Sequence, residues 1–223
     1  MSGWIVPPPK EPAKSSEEFD KERKEKGREL IKLGYLSSSR IKEAMLRVRR
    51  EDFIPHRYRD YAYREVPLPL PGENATISCP HSYPLFYELL GLAEGHRFLE
   101  VGLGSSYGSA LAREVVGSCG LVVSVEIDRI TFAFARDNLK EAGYRDIVLI
   151  QGDGRLLYPK VSPYDWICIT AVCKEMSSSL MQQLTLDRNL IAPVIEHGSR
   201  YLAVFEKEEQ TFSRKVLCQV LYL

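Results

Sequence analysis

The chain has 223 residues, 44% hydrophobic and 27% charged, which bounds it to one large globular domain or one domain with a small extension. Thirty basic and thirty acidic side chains cancel, so the bulk charge points to no polyanion partner such as nucleic acid. No run approaches the ~20 apolar residues of a membrane helix, and the opening MSGWIVPPPKEPAKSSEEFDKERKEK lacks the apolar core of a secretion signal.

Residues 1–16, rich in Pro, Ser and Lys, read as a loose lead-in. Residues 17–33 are dense in Glu, Lys and Arg and end at Gly34; they predict a charged helix, with a partly disordered tail as the alternative. Ser38 or Ser39 caps a second helix, in which Ile41, Ala44, Met45 and Val48 fall on one apolar face. Residues 51–80 carry prolines and aromatics with no lasting period, and long irregular segments of this kind often carry function. A helix is predicted over 82–92, with Pro84 in its first turn and Leu85, Phe86, Leu89 and Leu90 buried.

From Arg97 the rhythm changes. Strand-like runs appear at 97–102, 121–126, 147–151 and 164–171, with helical patterns at 106–116 and 129–142 between them. Phe132, Ala135, Leu139 and Ala142 form the stripe of the second helix. Residues 174–185 predict another helix, and 189–195, 201–207 and 213–222 predict strands, the last two joined across the polar turn EKEEQT as an antiparallel hairpin. This alternation implies an α/β, mostly parallel sheet with helices on both faces. Cys79, Cys119, Cys168, Cys173 and Cys218 form no CxxC pair and no metal-like cluster with the four histidines, the pattern of reduced thiols in a cytoplasmic protein with no metal site.

Three acidic residues end successive strands: Glu100 in LEVG, Glu126 in VSVEID and Asp153 in GDGR. Ligands of doubly wound sheets bind beyond these strand ends. Glu126, downstream of Gly102, suits a carboxylate that accepts hydrogen bonds from ribose hydroxyls. The turn itself runs Gly102-x-Gly104-x-x-x-Gly108, one residue too long for a dinucleotide fingerprint, and Glu100 would repel a phosphate. S-adenosyl-L-methionine has no phosphate and carries an ammonium and a sulfonium, so an acidic strand end attracts it. A tight turn with ordinary polar strand ends is the plainer alternative.

Taken together, RREDFIP (49–55), YAYREVPLPL (61–70), NATISCPH (74–81), LEVGLGSSYG (99–108), VSVEID (123–128), GDGR (152–155) and YDWICITA (164–171) resemble the protein-L-isoaspartate (D-aspartate) O-methyltransferase family in order and spacing. The resemblance implies a Rossmann-like class I methyltransferase sheet with a C-terminal antiparallel hairpin. The sequence itself divides into a charged N-terminal segment (1–27) open to flexibility, a helical and loop subdomain (28–92) and an α/β core (93–223), and the resemblance makes the second the substrate side and the third the cofactor-binding core. Glu100, Gly102 and Gly104 would surround the methionine part of the cofactor, Glu126 the ribose, and Asp153 and Gly154 the adenine, with Leu103 and Ile127 also at the cofactor. Ser78 would face the substrate carboxylate as the catalytic residue, and Asn74, Ala75, Thr76, Ile77 and His81 would line the substrate site. For Ser78 and His81 the alternative is capping of the following helix.

The implied partner is an isoaspartyl-containing protein or peptide, met by a monomer without nucleic acid or membrane. Its methyl ester would close to a succinimide, the first step of repair. Several positions depart from the family: Ser106 replaces the usual third glycine of the turn, Asn74 a common Gln, Ser82 a common Met, and LTLDRNLIAPV lacks a Pro-Gly-Gly turn. These leave open a related methyltransferase with another acceptor, or a cofactor-binding protein without turnover. ITAVCKE, after the fourth strand, carries no N/D-P-P-Y/F element of a base-modifying enzyme.

Overall fold

The computed structural model describes residues 6–156, 161–173, 175–209 and 211–220. Helix α1 (Ser16–Lys32) opens on a reciprocal cap: the Ser15 hydroxyl accepts from Glu18 N, and the Glu18 carboxylate accepts from Ser15 N at 2.7 Å. Its charge-dense sequence buries a face of Phe19, Arg23, Lys26, Gly27 and Leu30. The two cations on that face are paired, Arg23 with Glu51 at 2.5 Å and Lys26 with Glu65 at 3.1 Å. Ser38 caps α2 (Ser39–Arg47), whose Ile41, Ala44 and Met45 are buried together with Val48 at its end.

The irregular segment contains two 3-10 turns (Arg50–Phe53 and His56–Tyr61) and a small antiparallel pair, β1 (Leu68–Pro69) with β2 (Thr76–Ile77). Helix α3 (Ser82–Leu90) buries Tyr83, Phe86, Tyr87 and Leu90, whereas Leu85 is half-buried and Leu89 is exposed. The aromatics turn this face: Tyr87 packs edge-on against Phe98, ring centroids 5.4 Å apart, and Leu85 and Leu89, both expected inside, are rotated outward while Leu90 stays buried.

The remaining elements are β3 (Arg97–Val101), α4 (Tyr107–Val116), β4 (Leu121–Glu126), α5 (Arg129–Glu141), β5 (Val148–Gln151), β6 (Tyr164–Ile169), α6 (Ser178–Gln182), β7 (Leu184–Glu196), β8 (Ser199–Lys207) and β9 (Phe212–Gln219). They form a seven-stranded sheet in the order β5-β4-β3-β6-β7-β8-β9. Pairing is parallel from β5 to β7 and antiparallel through β8 and β9.

Helix α5 buries Thr131, Ala135, Asn138 and Leu139; Phe132 is half-buried and Ala142 exposed, a face one position off the predicted stripe. The helix expected over 174–185 is confined to Ser178–Gln182, because the chain enters β7 at Leu184, opposite Tyr164. A register shift then separates that pair from Trp166–Asn189, with Asp187 at φ 56° inside the irregularity. Residue 174 and the end of the last predicted strand, 221–222, lie outside the described residues.

Strand alternation divides the interior in two. Phe98, Val122, Trp166 and Cys168 share one core with residues of α1 to α5, while Leu99, Val123, Ile167 and Ile169 share the other with Leu180 and Met181 of α6. Among the described residues no helix is long and apolar enough to cross a membrane.

Candidate active site

The strand order reverses at β3, with β4 and β5 running to one side of it and β6 and β7 to the other, and the carboxyl ends there open a crevice. The chain leaves β3 through Gly102 (φ 92°) and Gly104 (φ 55°), backbone that favours glycine. Gly102 N and Leu103 N both donate to Val125 O, at 2.9 and 3.2 Å, which ties the turn to β4. A side chain at Gly102 would meet Thr170 Oγ1 at 2.6 Å, so the turn and the end of β6 approach to backbone contact.

Ser106 also holds a positive φ, 69°. Its buried hydroxyl donates to Ala135 O of α5 at 2.9 Å, so the side chain points away from the crevice and does not crowd it.

A hollow of about 210 Å³ lies above this turn. One wall is the run Glu73 to Ser78, which contains β2; the other is Gly102, Gly104, Ser105 and the segment Glu126 to Asp128. Tyr83, Thr131, Thr170 and Ala171 complete it. Glu126 is set by two backbone donors, Gly104 N at 3.2 Å and Asp128 N at 3.0 Å. Asp128 caps α5 by accepting from Thr131 N at 2.7 Å, and these bonds hold its carboxyl below the usual range. Thr131 Oγ1 donates to Pro71 O at 2.9 Å, which pins the loop before the Asn74–Ser78 wall to the same helix start. The described lining carries three carboxylates (Glu73, Glu126, Asp128) and no Lys, Arg or His. Such a cradle fits a cationic nucleoside and opposes a phosphate.

Glu100 lies beneath this hollow rather than on its wall. It is fully buried, accepts a hydrogen bond from Ser109 Oγ, and burial pushes its carboxyl up to about 7; the Glu126 charge adds to the rise, while bonds from Ser109, Tyr83 and Ser124 oppose it. Gly108 makes room for it: a Cβ there would sit 2.5 Å from Tyr83 Cζ and on top of the Glu100 carboxylate. The glycine that spoils the dinucleotide spacing therefore serves close packing of the helix against α3.

Among the expected site residues, Asn74, Ala75, Thr76, Ile77, Ser78, Gly102, Gly104, Glu126 and Ile127 line the hollow. Leu103 is buried in the turn behind it. Asp153 and Gly154 lie off its lining: Arg155 ion-pairs with Asp153 at 2.6 Å and draws its carboxyl down to about 2, and Gly154 packs against Val101.

His81 also lies off the lining. Its Nδ1 is 2.7 Å from Glu65 Oε2 and its ring stands against Tyr35, centroids 5.3 Å apart. It occupies the N-cap position of α3 but its side chain makes no cap bond, which corrects the capping alternative. Ser78 does not cap α3 either, since the N-cap position belongs to His81. Its own carbonyl accepts from Arg50.

Glu65, Cys79 and His81 place donor atoms within 4.8 Å of one another, a grouping of Cys with His that spacing alone did not reveal because Glu65 comes from outside the motif. The Lys26 ammonium, 3.1 Å from Glu65, already supplies a cation there. Sequence reasoning also missed Tyr83, Thr170 and Ala171; the last two directly follow β6, beside β3 where the order turns, and the strand-end rule reaches them once the order is known.

The family model for protein-L-isoaspartate(D-aspartate) O-methyltransferase matches residues 21–223. A protein-L-isoaspartate O-methyltransferase of Methanopyrus kandleri is 40% identical over 198 residues, covering 88% of this chain and 87% of its own. One from Methanosarcina mazei is 34% identical over 213 residues, covering 92% and 87%. A solved protein-L-isoaspartate O-methyltransferase superposes with a TM-score of 0.83 at 30% identity, over 90% of this chain and 65% of that one. A Plasmodium falciparum structure in complex with S-adenosyl-L-homocysteine shares the fold, with a TM-score of 0.79 at 21% identity over 90% and 96%.

Proposed function

The chain belongs to the protein-L-isoaspartate(D-aspartate) O-methyltransferase family, and on that premise we propose that it methyl-esterifies the free carboxylate of L-isoaspartyl and D-aspartyl residues in damaged proteins and peptides. It is an S-adenosyl-L-methionine-dependent methyltransferase. The observation that carries the reading is the hollow itself, carboxylate-lined and free of basic side chains in its described lining, facing a wall that ends in Ser78.

S-adenosylmethionine, bound in the hollow, supplies an electrophilic methyl group on a sulfonium. Glu126, fixed by Gly104 N and Asp128 N, would accept hydrogen bonds from the ribose hydroxyls. Gly102 and Gly104 let the backbone approach the methionine part, and Leu103 shapes the turn behind them. Glu100, raised to about 7 by burial, adds negative potential from below in its ionised fraction. Ile127, together with Asp153 and Gly154 beyond the end of β5, would hold the adenine.

The acceptor carboxylate has an ordinary pKa of about 4 and is ionised at neutral pH, so no general base is needed. The chain's task is to strip it of water and align it. Ser78 donates a hydrogen bond that orients it, and Asn74, Ala75, Thr76 and Ile77 shape the channel for the flanking peptide. His81 holds the outer side of that wall through Glu65. Residues 28–92 thus supply the substrate side and 93–223 the cofactor side, behind the charged segment 1–27. The reading includes a cytoplasmic monomer with no nucleic acid or membrane partner; five cysteines without a disulfide fit a reducing compartment.

The test is incubation with labelled S-adenosylmethionine and an isoaspartyl peptide beside its aspartyl twin. Base-labile label in the isoaspartyl peptide alone is expected; label in neither peptide refutes the acceptor assignment.

A further inference from the structure

Arg50 is 0% exposed and forms no ion pair among the described residues. Its Nε donates to Ala62 O at 2.7 Å and Nη2 donates to Ser78 O at 2.6 Å. The guanidinium stands over the Tyr107 ring, 5.1 Å from its centroid, and Nη1 has no partner. The neighbouring carboxylate, Glu51, is already engaged by Arg23 at 2.5 Å and by the Tyr63 hydroxyl at 2.6 Å.

Burial pulls the guanidinium's pKa below its ordinary 12.5, the mark of a charge removed from water with no counter-ion. Arginine nevertheless stays protonated. A neutral donor would satisfy two carbonyls at far lower desolvation cost. What the hydrogen bonds leave unexplained is the charge.

We propose that Arg50 is an electrostatic positioning residue of the acceptor site, whose uncompensated charge, held directly behind the Ser78 carbonyl, draws an anionic acceptor to that wall. The assignment rests on the carboxylate acceptor proposed above. It divides the cleft by sign, with a hidden cation behind the Ser78 wall and carboxylates around the methyl donor.

Two consequences follow. The acceptor loses its charge as the methyl group arrives, so Arg50 favours the bound carboxylate more than the transition state and acts on KM rather than kcat. The same charge opposes a sulfonium, so its removal favours S-adenosylmethionine over S-adenosylhomocysteine, which differ by that one charge.

Arg50→Met and Arg50→Gln remove the charge, the second keeping a donor for the carbonyls, while Arg50→Lys retains it. Calorimetric titration of both cofactor forms is paired with steady-state kinetics on the isoaspartyl peptide. The neutral variants are expected to raise peptide KM about tenfold with kcat within about threefold, and to shift the preference toward S-adenosylmethionine about threefold. Arg50→Lys should stay near the parent on both readouts. A merely structural role would weaken both cofactor forms alike and leave their ratio fixed. That result, an unchanged KM, or loss of folding in both neutral variants overturns the proposal. If the parent enzyme fails to methylate the peptide, the acceptor reading falls, while the cofactor ratio still decides whether the Arg50 charge is felt in the cleft.

Discussion

Glu100→Gln is the sharpest probe of the layer beneath the cleft. In the folded chain burial raises the Glu100 carboxyl from 4.5 to about 7. The folded protein therefore holds this proton more tightly than the unfolded chain does. The stability linked to it is present below pH 4.5 and is lost as pH rises through about 7, after which the curve is flat. Integrated between pH 5 and pH 8, the loss is about 2–3 kcal/mol, or about 5–10 °C in Tm for a chain of this size. Glutamine keeps the shape without ionising, and Ser109 and Ser124 can turn their hydroxyls to suit an amide.

The assay is urea denaturation of the cofactor-free parent and variant at both pH values. Other titrating groups cancel in the comparison, so the variant should gain about 2–3 kcal/mol relative to the parent between pH 5 and pH 8, while its affinity for S-adenosylmethionine falls. Parallel stability curves for the two proteins would falsify the assignment of a buried, proton-holding Glu100.

Glu126→Ala removes a carboxylate set by two backbone donors and should weaken S-adenosylmethionine binding by about 10- to 100-fold in calorimetry; an unchanged Kd removes it from the cofactor site. Ser78→Ala should leave cofactor Kd within about twofold and cut kcat on the isoaspartyl peptide by about tenfold or more, and the opposite split would exchange the two roles. Gly108→Ala forces a Cβ onto Tyr83 and Glu100 and should cost about 1–3 kcal/mol in urea melts. Ser106→Gly relieves a positive φ but loses the bond to Ala135 O, so stability should change by less than about 1 kcal/mol and cofactor affinity not at all; a large affinity change would put that side chain in the cleft after all.

The sequence made the strand ends legible because a period of two and a closing acid are local signals. Glu126 and the glycines could be placed at the hollow from spacing alone, and the β-hairpin from a polar turn between apolar runs. Glu100 shows the limit. Its residue type and strand position were readable, but whether it faces solvent or lies under a helix depends on Gly108 and Tyr83, which come from two other elements. The same limit explains α3 and α5: aliphatic spacing chose a face, and aromatic and small polar residues, Tyr83 and Tyr87 in one and Thr131 and Asn138 in the other, rotated it. The shortened α6 reflects competition from β7, whose pairing with β6 outweighs a helical pattern of a few residues. Arg50 was readable only as one basic residue in a motif; its burial and missing counter-ion are properties of the fold.

The two sides of the cleft differ in how they are fastened. The glycine turn is stitched to β4 and set against the end of β6, inside a seven-stranded scaffold, so the donor side is rigid before any ligand arrives. The facing wall is a two-residue strand paired only with another of the same length, and held from outside by Arg50 and the Thr131–Pro71 bond. Ordering entropy on capture of a second molecule is therefore concentrated in a few residues around Asn74 to Ser78. On the proposed reading of that wall as the acceptor side, substitutions there retune which damaged chain is accepted without disturbing the chemistry of methyl donation, which gives the fold a separable handle for diverging in selectivity.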